Sequence, residues 1–297
     1  MRATLAAMDV LVLLTPHNPS GVLVDANAPH FSPRAQGISR GDGIFETMLF
    51  AGNRVKKMDE HLWRLRRSAA ITDIEAPSDE HWRRAVETAV AAWRYEPGDG
   101  LIPHEALVKL LVLRGYAPEN PDGDAWGLVT PMRAALRPTQ PIKVALLDRG
   151  FTSRTAQSSP WLLLGAKTLS YATNMAAMRE AHRRGAEDVI FTTTDGFVLE
   201  APTASVFIKR GRTLITTPTE LGVLPGTTQR VLFRAAEQEG WSTAVERLTP
   251  SDLHSADAVW LSSSGRLISQ VRWLDDEEIA VDDAAHAELM QLLLSTR

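Results

Sequence analysis

Between Arg133 and Pro141 the chain reads RAALRPTQP, a stretch with two prolines and little hydrophobic periodicity. Proline lacks a backbone N–H and fixes its own φ, so such a run interrupts whatever ladder or helix precedes it. The sequence on either side is of one kind. Apolar, branched runs alternate with segments of helical spacing, and turn residues separate them. At 297 residues the chain has the length of two ordinary domains. We therefore expect a smaller N-terminal α+β domain over 1–132, a linker over 133–141 and a larger C-terminal α+β domain over 142–297.

In the first half, Val10–Leu14 and Val22–Val24 read as strands, and GDGIFETMLFAGNRVKKM as strand, turn at Gly52-Asn53, strand. Asp59 stands where it would cap the helix EHLWRLRRSAAI, whose Leu62, Leu65 and Ala69 share a face. Ser78 would cap a second helix. EALVKLLVLRG reads as a buried strand with WGLVTPM as its neighbour. In the second half, IKVALLD is a strand and Tyr171–Arg184 a helix ending at Gly185. DVIFTTTDGFVLEAPTASVFIKRGRTLITTP reads as several strands, turning at Asp195-Gly196 and Arg210-Gly211. GTTQRVLFRAAEQEG is a helix, DAVWLSSS a strand, and Asp282–Leu294 an amphipathic helix.

Composition removes several function classes. There are no cysteines, which excludes disulfides, iron–sulfur clusters, thiolate zinc and cysteine nucleophiles. The eight histidines are dispersed without HxH or HExxH spacing, so no metal site is expected. The net charge of -4 comes with scattered basic residues, which is no footprint for nucleic acid. No apolar run is long enough to span a membrane. Neither GxxxxGK[ST], nor a strand-linked GxGxxG, nor a GxSxG elbow occurs. The expectation is a cytoplasmic protein.

Four local features remain. Lys167 is the sole ionised residue between Arg154 and Arg179, and one of only six lysines. Its amine either snorkels to water or sits where an apolar pocket eases loss of its proton, as a Schiff base with an aldehyde requires. Glu200, in GFVLEAPTASVF, lies among apolar residues; it is either an exposed strand-end carboxylate or the partner of a buried cation such as a protonated pyridine. Gly226-Thr227-Thr228 opens a helix and offers amides, hydroxyls and the positive end of a dipole to a phosphate; plain threonine capping is the alternative. Arg64 on its helix could clamp phosphate oxygens or point into solvent. Together these are the needs of pyridoxal phosphate (PLP).

RGDGIFETM, EHLWRL, AKTLSYATNMAAMREAHRRGAEDVIF, EAPTASVF and GVLPGTTQ, in this order along nearly the whole chain, resemble the motifs of the class IV, or fold-type IV, PLP enzymes. That family includes branched-chain aminotransferases, D-amino-acid aminotransferases and aminodeoxychorismate lyases. The resemblance implies a two-domain α+β fold like that of D-amino-acid aminotransferase, a homodimer, and a cofactor at the domain interface. It implies Lys167, in the C-terminal domain, as the Schiff-base lysine, Arg64 at the phosphate and Glu200 at the pyridine nitrogen. Thr227, Thr228 and Ser264 would also meet the phosphate. Ser205 and Arg266 stand near the cofactor, where relatives carry other residues.

Departures choose among members. Leu107 and Lys109 replace the tyrosine and arginine of the branched-chain Y-x-R-P motif. Glu119 and Pro121 replace an arginine and a histidine of the D-amino-acid enzymes. LVKLLVLRG is more similar to aminodeoxychorismate lyases. The resemblance thus implies a lyase of folate biosynthesis that converts 4-amino-4-deoxychorismate to 4-aminobenzoate and pyruvate. Phe45, Lys109 and Arg114 are its expected substrate-binding residues. An aminotransferase for a small or branched-chain amino acid is the alternative.

Overall fold

The computed structural model describes residues 9–15, 18–115 and 124–295; Glu119 and Pro121 therefore lie outside the described residues. The chain divides into two compact units, Met1–Leu136 with Ala166–Tyr171, and Arg137–Gly165 with Ala172–Arg297. The first break falls within the stretch 133–141. The segment carrying Lys167, assigned from sequence to the C-terminal half, belongs to the first unit.

The first unit comprises β1 (Val10–Thr15), β2 (Asn18–Val24), α1 (Gln36–Arg40), β3 (Gly43–Ala51), β4 (Arg54–Val55), α2 (Met58–Thr72), α3 (Asp79–Ala92), β5 (Leu101–Leu113) and β6 (Asp124–Arg133). Its strands form one antiparallel sheet in the order β2-β1-β6-β5-β3-β4. Side chains alternate across a strand, and the burial pattern follows that period. Ile44, Met48 and Phe50 of β3 join Ala106, Val108, Leu110 and Val112 of β5 in a core with Leu62 and Leu65 of α2 and Trp82 and Val86 of α3. Phe45, Thr47, Leu107 and Lys109 are half-buried and alternate with those positions, so they face the opposite side of the sheet.

The caps differ in part from expectation. Ser78 does cap α3, accepting from the amide of His81 at 3.3 Å. Asp59 does not cap α2: the helix begins at Met58, with Lys57 in the left-handed conformation before it and no side-chain capping bond. Asp59 and Glu60 lie in the first turn, where the helix dipole favours negative charge.

Lys57 is 8% exposed. Burial pushes its pKa down from an ordinary 10.5 to about 8, with Lys56 and Arg64 adding to the shift and Glu60 opposing it. The charged form is the one penalised in the folded state. The cost is therefore complete below pH about 8 and fades as pH rises towards the unfolded value. A shift of this size corresponds to about 3 kcal/mol. Lys57→Met is expected to stabilise the protein by up to about that amount at neutral pH. The gain should shrink steadily in denaturation series run at higher pH; a gain independent of pH would contradict this account.

The second unit comprises β7 (Ile142–Asp148), α4 (Thr155–Ser158), α5 (Ala172–Arg183), β8 (Asp188–Thr192), β9 (Ser205–Arg210), β10 (Thr213–Thr216), α6 (Thr227–Gln238), β11 (Ser242–Val245), α7 (Pro250–Ser255), β12 (Ala258–Ser263), β13 (Leu267–Leu274), β14 (Glu277–Glu278) and α8 (Asp283–Ser295). The strand order is β11-β10-β9-β12-β13-β7-β8, with β14 on β13. β7 runs parallel to both neighbours, and β10 to β11; the other pairs are antiparallel. One face buries Val144, Val206, Ile208, Val259, Leu261 and Val271. On the other, Phe207 stacks on Trp260 and meets Phe233 of α6 edge-on.

Two details stand out, and the second corrects the sequence reading. Lys209 lies on β9, just before the Arg210-Gly211 turn, and its ammonium meets Asp282 at 3.0 Å. Residues 197–201 form no strand of the sheet. They double back along β8, with the Leu199 amide donating to the Phe191 carbonyl at 2.8 Å. Pro202 follows and has no N–H with which to extend the pairing. Among the described residues no helix is long and apolar enough to cross a membrane.

Candidate active site

In the first unit the site grows from β3. Because Glu46 shares the helix-facing side of that strand with Ile44 and Met48, its carboxylate is fully buried beneath α2. There it accepts from Arg64 Nε at 2.6 Å and Nη2 at 2.8 Å, and from His61 Nδ1 at 2.7 Å. A carboxylate only accepts, so His61 must carry its proton on Nδ1. Burial alone would raise the Glu46 pKa. The Arg64 charge and the hydrogen bonds from Arg64 and His61 overcome that and hold it well below the usual carboxylate range. Burial pushes His61 the other way from protonation, below its ordinary value, although Glu46 opposes this. Arg64 is thus buried, 6% exposed, and locked by a two-pronged ion pair; it does not point into solvent.

Lys167 lies beside the edge of β3. The Phe45 amide donates to its carbonyl at 3.0 Å, the Leu169 amide donates to the Gly43 carbonyl at 2.8 Å, and Thr168 bridges Ile44. Its own amide donates to the Ser68 hydroxyl at 3.0 Å. The side chain is half-buried. Nζ stands 4.4 Å from the centre of the Phe45 ring and 5.9 Å from that of Tyr171. Lys109 Nζ is 5.9 Å from the same Phe45 ring. Two amines therefore lie within 6 Å of one aromatic ring's centre, at 4.4 and 5.9 Å.

Arg114 is committed elsewhere. Its Nε bonds Asp42 at 2.7 Å, and its two terminal nitrogens donate to the carbonyls of Thr72 and Asp73. Those carbonyls end α2, where a cation is favoured. Its guanidinium ties the end of β5 to the helix terminus.

In the second unit Glu200, Ser205, Thr216, Thr217, Gly226 and Gln229 line a small hollow beside the start of α6. Glu200 Oε2 accepts from the Leu224 amide at 3.1 Å. Gly226 is the N-cap residue of α6, and no side chain caps the helix; the threonine-capping alternative does not hold. A Cβ on Gly226 would come within 2.2 Å of Ser205 Oγ, so glycine is what lets that hydroxyl lie against the first turn. Thr227 and Thr228 are buried. Ser264 is buried just beyond β12, and Ser262 on β12 pairs in register with Ser205. Arg266 bonds the buried Asp188 at 2.5 Å, an ion pair that the sequence did not suggest.

Sequence reasoning missed Glu46, His61 and Ser68. The alternation of β3 held the signal for Glu46, since it puts an acid on the face of Ile44 and Met48. Nothing local announces Ser68, whose partner is 99 residues away.

Residues 43–274 match the family model described as amino-transferase class IV. A bifunctional aminodeoxychorismate lyase / D-amino acid transaminase of Mycobacterium tuberculosis is 37% identical over 249 residues, covering 81% of this chain and 84% of that protein. Among solved structures, a fold IV transaminase from Curtobacterium pusillum, CpuTA1, superposes with a TM-score of 0.89 at 39% identity over 97% of each chain. A hypothetical aminotransferase from M. tuberculosis in a PLP-bound form gives 0.87 at 33% identity, covering 96% of this chain and 98% of that one. The chain belongs to the class IV aminotransferase family.

Proposed function

We propose that the protein is a 4-amino-4-deoxychorismate lyase, releasing 4-aminobenzoate and pyruvate. The cofactor is PLP. The residues suit it: the pocket at α6 combines a carboxylate for a ring nitrogen with a helix start that carries hydroxyls and has no side-chain cap. A side chain at Gly226 would fill that cradle. In this reading Lys167 holds the aldehyde and Glu200 the pyridine nitrogen. Arg64, Thr227, Thr228 and Ser264 hold the phosphate, and Ser205 supports the first turn of α6. Bound PLP supplies an electron sink for charge left on the substrate's amine-bearing carbon.

The observation that carries the lyase reading is the pair of amines about Phe45. A dicarboxylate substrate needs a fixed cation near the reacting amine, and Lys109 offers one. Phe45 supplies an apolar wall against which a cyclohexadiene can lie. The freed amine of Lys167 takes the proton from the amine-bearing carbon. The C–O bond to the enolpyruvyl group then breaks, and the ring becomes aromatic. Lys167 Nζ gives its proton to the departing enolpyruvate, which leaves as pyruvate, so no net oxidant or co-substrate is consumed. A homodimer suits the family, and Trp161, 73% exposed, and Leu162, 49%, offer apolar surface for it.

The second reading is an aminotransferase acting on a small or branched-chain amino acid; the M. tuberculosis relative's name joins a transaminase to a lyase. Purified enzyme given 4-amino-4-deoxychorismate alone is expected to form 4-aminobenzoate and pyruvate in equal amounts. If product appears only when an amino donor and a keto acid are supplied, and then only as transferred amine, the lyase reading is overturned.

A further inference from the structure

Ser68 has no place in the chemistry described above, yet its hydroxyl is fully buried and holds the main chain of the reactive lysine. It sits one turn after Arg64 on α2, at the spacing that puts two side chains on one face of a helix. Arg64 in turn is locked to Glu46. Glu46 adjoins Phe45, whose amide holds the Lys167 carbonyl. The links therefore close a ring: Lys167 to Ser68, along one turn of α2 to Arg64, across to Glu46, one residue back along β3 to Phe45, and again to Lys167. Each link is a hydrogen bond, an ion pair or regular backbone, and most of it is shielded from water. Such a ring leaves little freedom in the spacing between Lys167 and Arg64.

We propose that Ser68 is a positioning residue that fixes the main chain of Lys167 relative to Arg64, and so sets the registration of the amine that holds the cofactor's aldehyde against the guanidinium that holds its phosphate. This rests on the roles given to Lys167 and Arg64 under the proposed function. Without the hydroxyl, the half-buried Lys167 amide loses its acceptor on α2. The main chain at Lys167 then loses its tie to α2, while the bonds of the segment to β3 and of Ser170 to Gly41 remain, and the amine's approach is less fixed.

The test uses the PLP-loaded enzyme with Ser68→Ala, and Thr72→Val as a control. Thr72 is buried on the same helix and bonds only helix carbonyls through its hydroxyl, so its loss reports general weakening of α2. Three quantities are measured: the pH midpoint of the bound cofactor's visible band, the rate of cofactor dissociation, and thermal stability. Ser68→Ala is expected to move the midpoint by about one pH unit and to speed dissociation about tenfold, the cost of one lost hydrogen bond at a half-buried amide. Thr72→Val should lower stability and leave the midpoint in place. Should Ser68→Ala fail to fold, Ser68→Cys carries the same expectation, because a thiol is nearly the same size and a poor acceptor. An unchanged midpoint and dissociation rate in the Ser68 variant overturns the proposal, as does an equal shift in Thr72→Val. Borohydride reduction followed by peptide mass mapping separates the two levels. Cofactor found on another lysine would sink both this inference and the role of Lys167. Cofactor on Lys167 with a wild-type midpoint in Ser68→Ala would sink the positioning role alone.

Discussion

Lys167→Ala is expected to lower turnover by at least about 10⁴-fold, with the fold intact. Two losses combine. The amine that captures the aldehyde is gone, and so is the base that takes and returns the proton. Lys109, on the separate strand β5, stands farther from the Phe45 ring, 5.9 Å against 4.4 Å for Lys167, and is not expected to take over either role. The backbone bonds of residue 167 to Phe45 and Ser68 do not involve the lost side chain, so the melting temperature of the cofactor-free variant should match that of cofactor-free wild type. Borohydride treatment of wild type should leave the cofactor's mass on the peptide containing Lys167. Retention of substantial turnover by Lys167→Ala, or a covalent label elsewhere, would remove the chemical basis of the assignment.

Glu46→Ala is expected to cost stability, not only activity, by about 3–5 kcal/mol. The substitution strips the counter-charge from a buried guanidinium and the acceptor from a buried imidazole. Neither Arg64 nor His61 can turn to water without opening the contact of α2 with β3. The pH dependence follows from the depressed Glu46 pKa. The carboxylate's stabilisation is complete above the ordinary glutamate range and is lost as pH falls through it towards the folded-state value. Wild type should therefore lose stability on acidification more steeply than Glu46→Ala, and the gap between them should narrow. Urea denaturation at a series of pH values, read by tryptophan fluorescence, measures this directly. A variant within about 1 kcal/mol of wild type at neutral pH would show that the buried pair is dispensable.

Local periodicity carried most of the fold. The alternation in EALVKLLVLRG and the helical spacing of EHLWRLRRSAAI gave β5 and α2, because both elements bury a single face. The Asn53 and Gly211 turns were equally plain. What escaped depends on distant partners. Lys57 looks like a hairpin charge and is buried; Arg114 looks like a substrate cation and caps a helix end. Arg266 looked like an oddity of the cofactor region and turns out to neutralise Asp188, 78 residues earlier. A charged residue's type states what it can bind, while only the fold states what is within reach. A motif names Lys167 as the group proposed to react, whereas nothing local marks a residue such as Ser68, whose bond is to another residue's main chain.

The hexapeptide 166–171 sits at the edge of β3 although the chain on both sides of it belongs to the second unit. Gene fragments joined near residue 136 from two different parents would thus mate one parent's strand edge and serine with the other parent's lysine-bearing peptide. Functional chimeras should need that six-residue insert transplanted together with the N-terminal piece, so the heritable module is discontinuous in the gene.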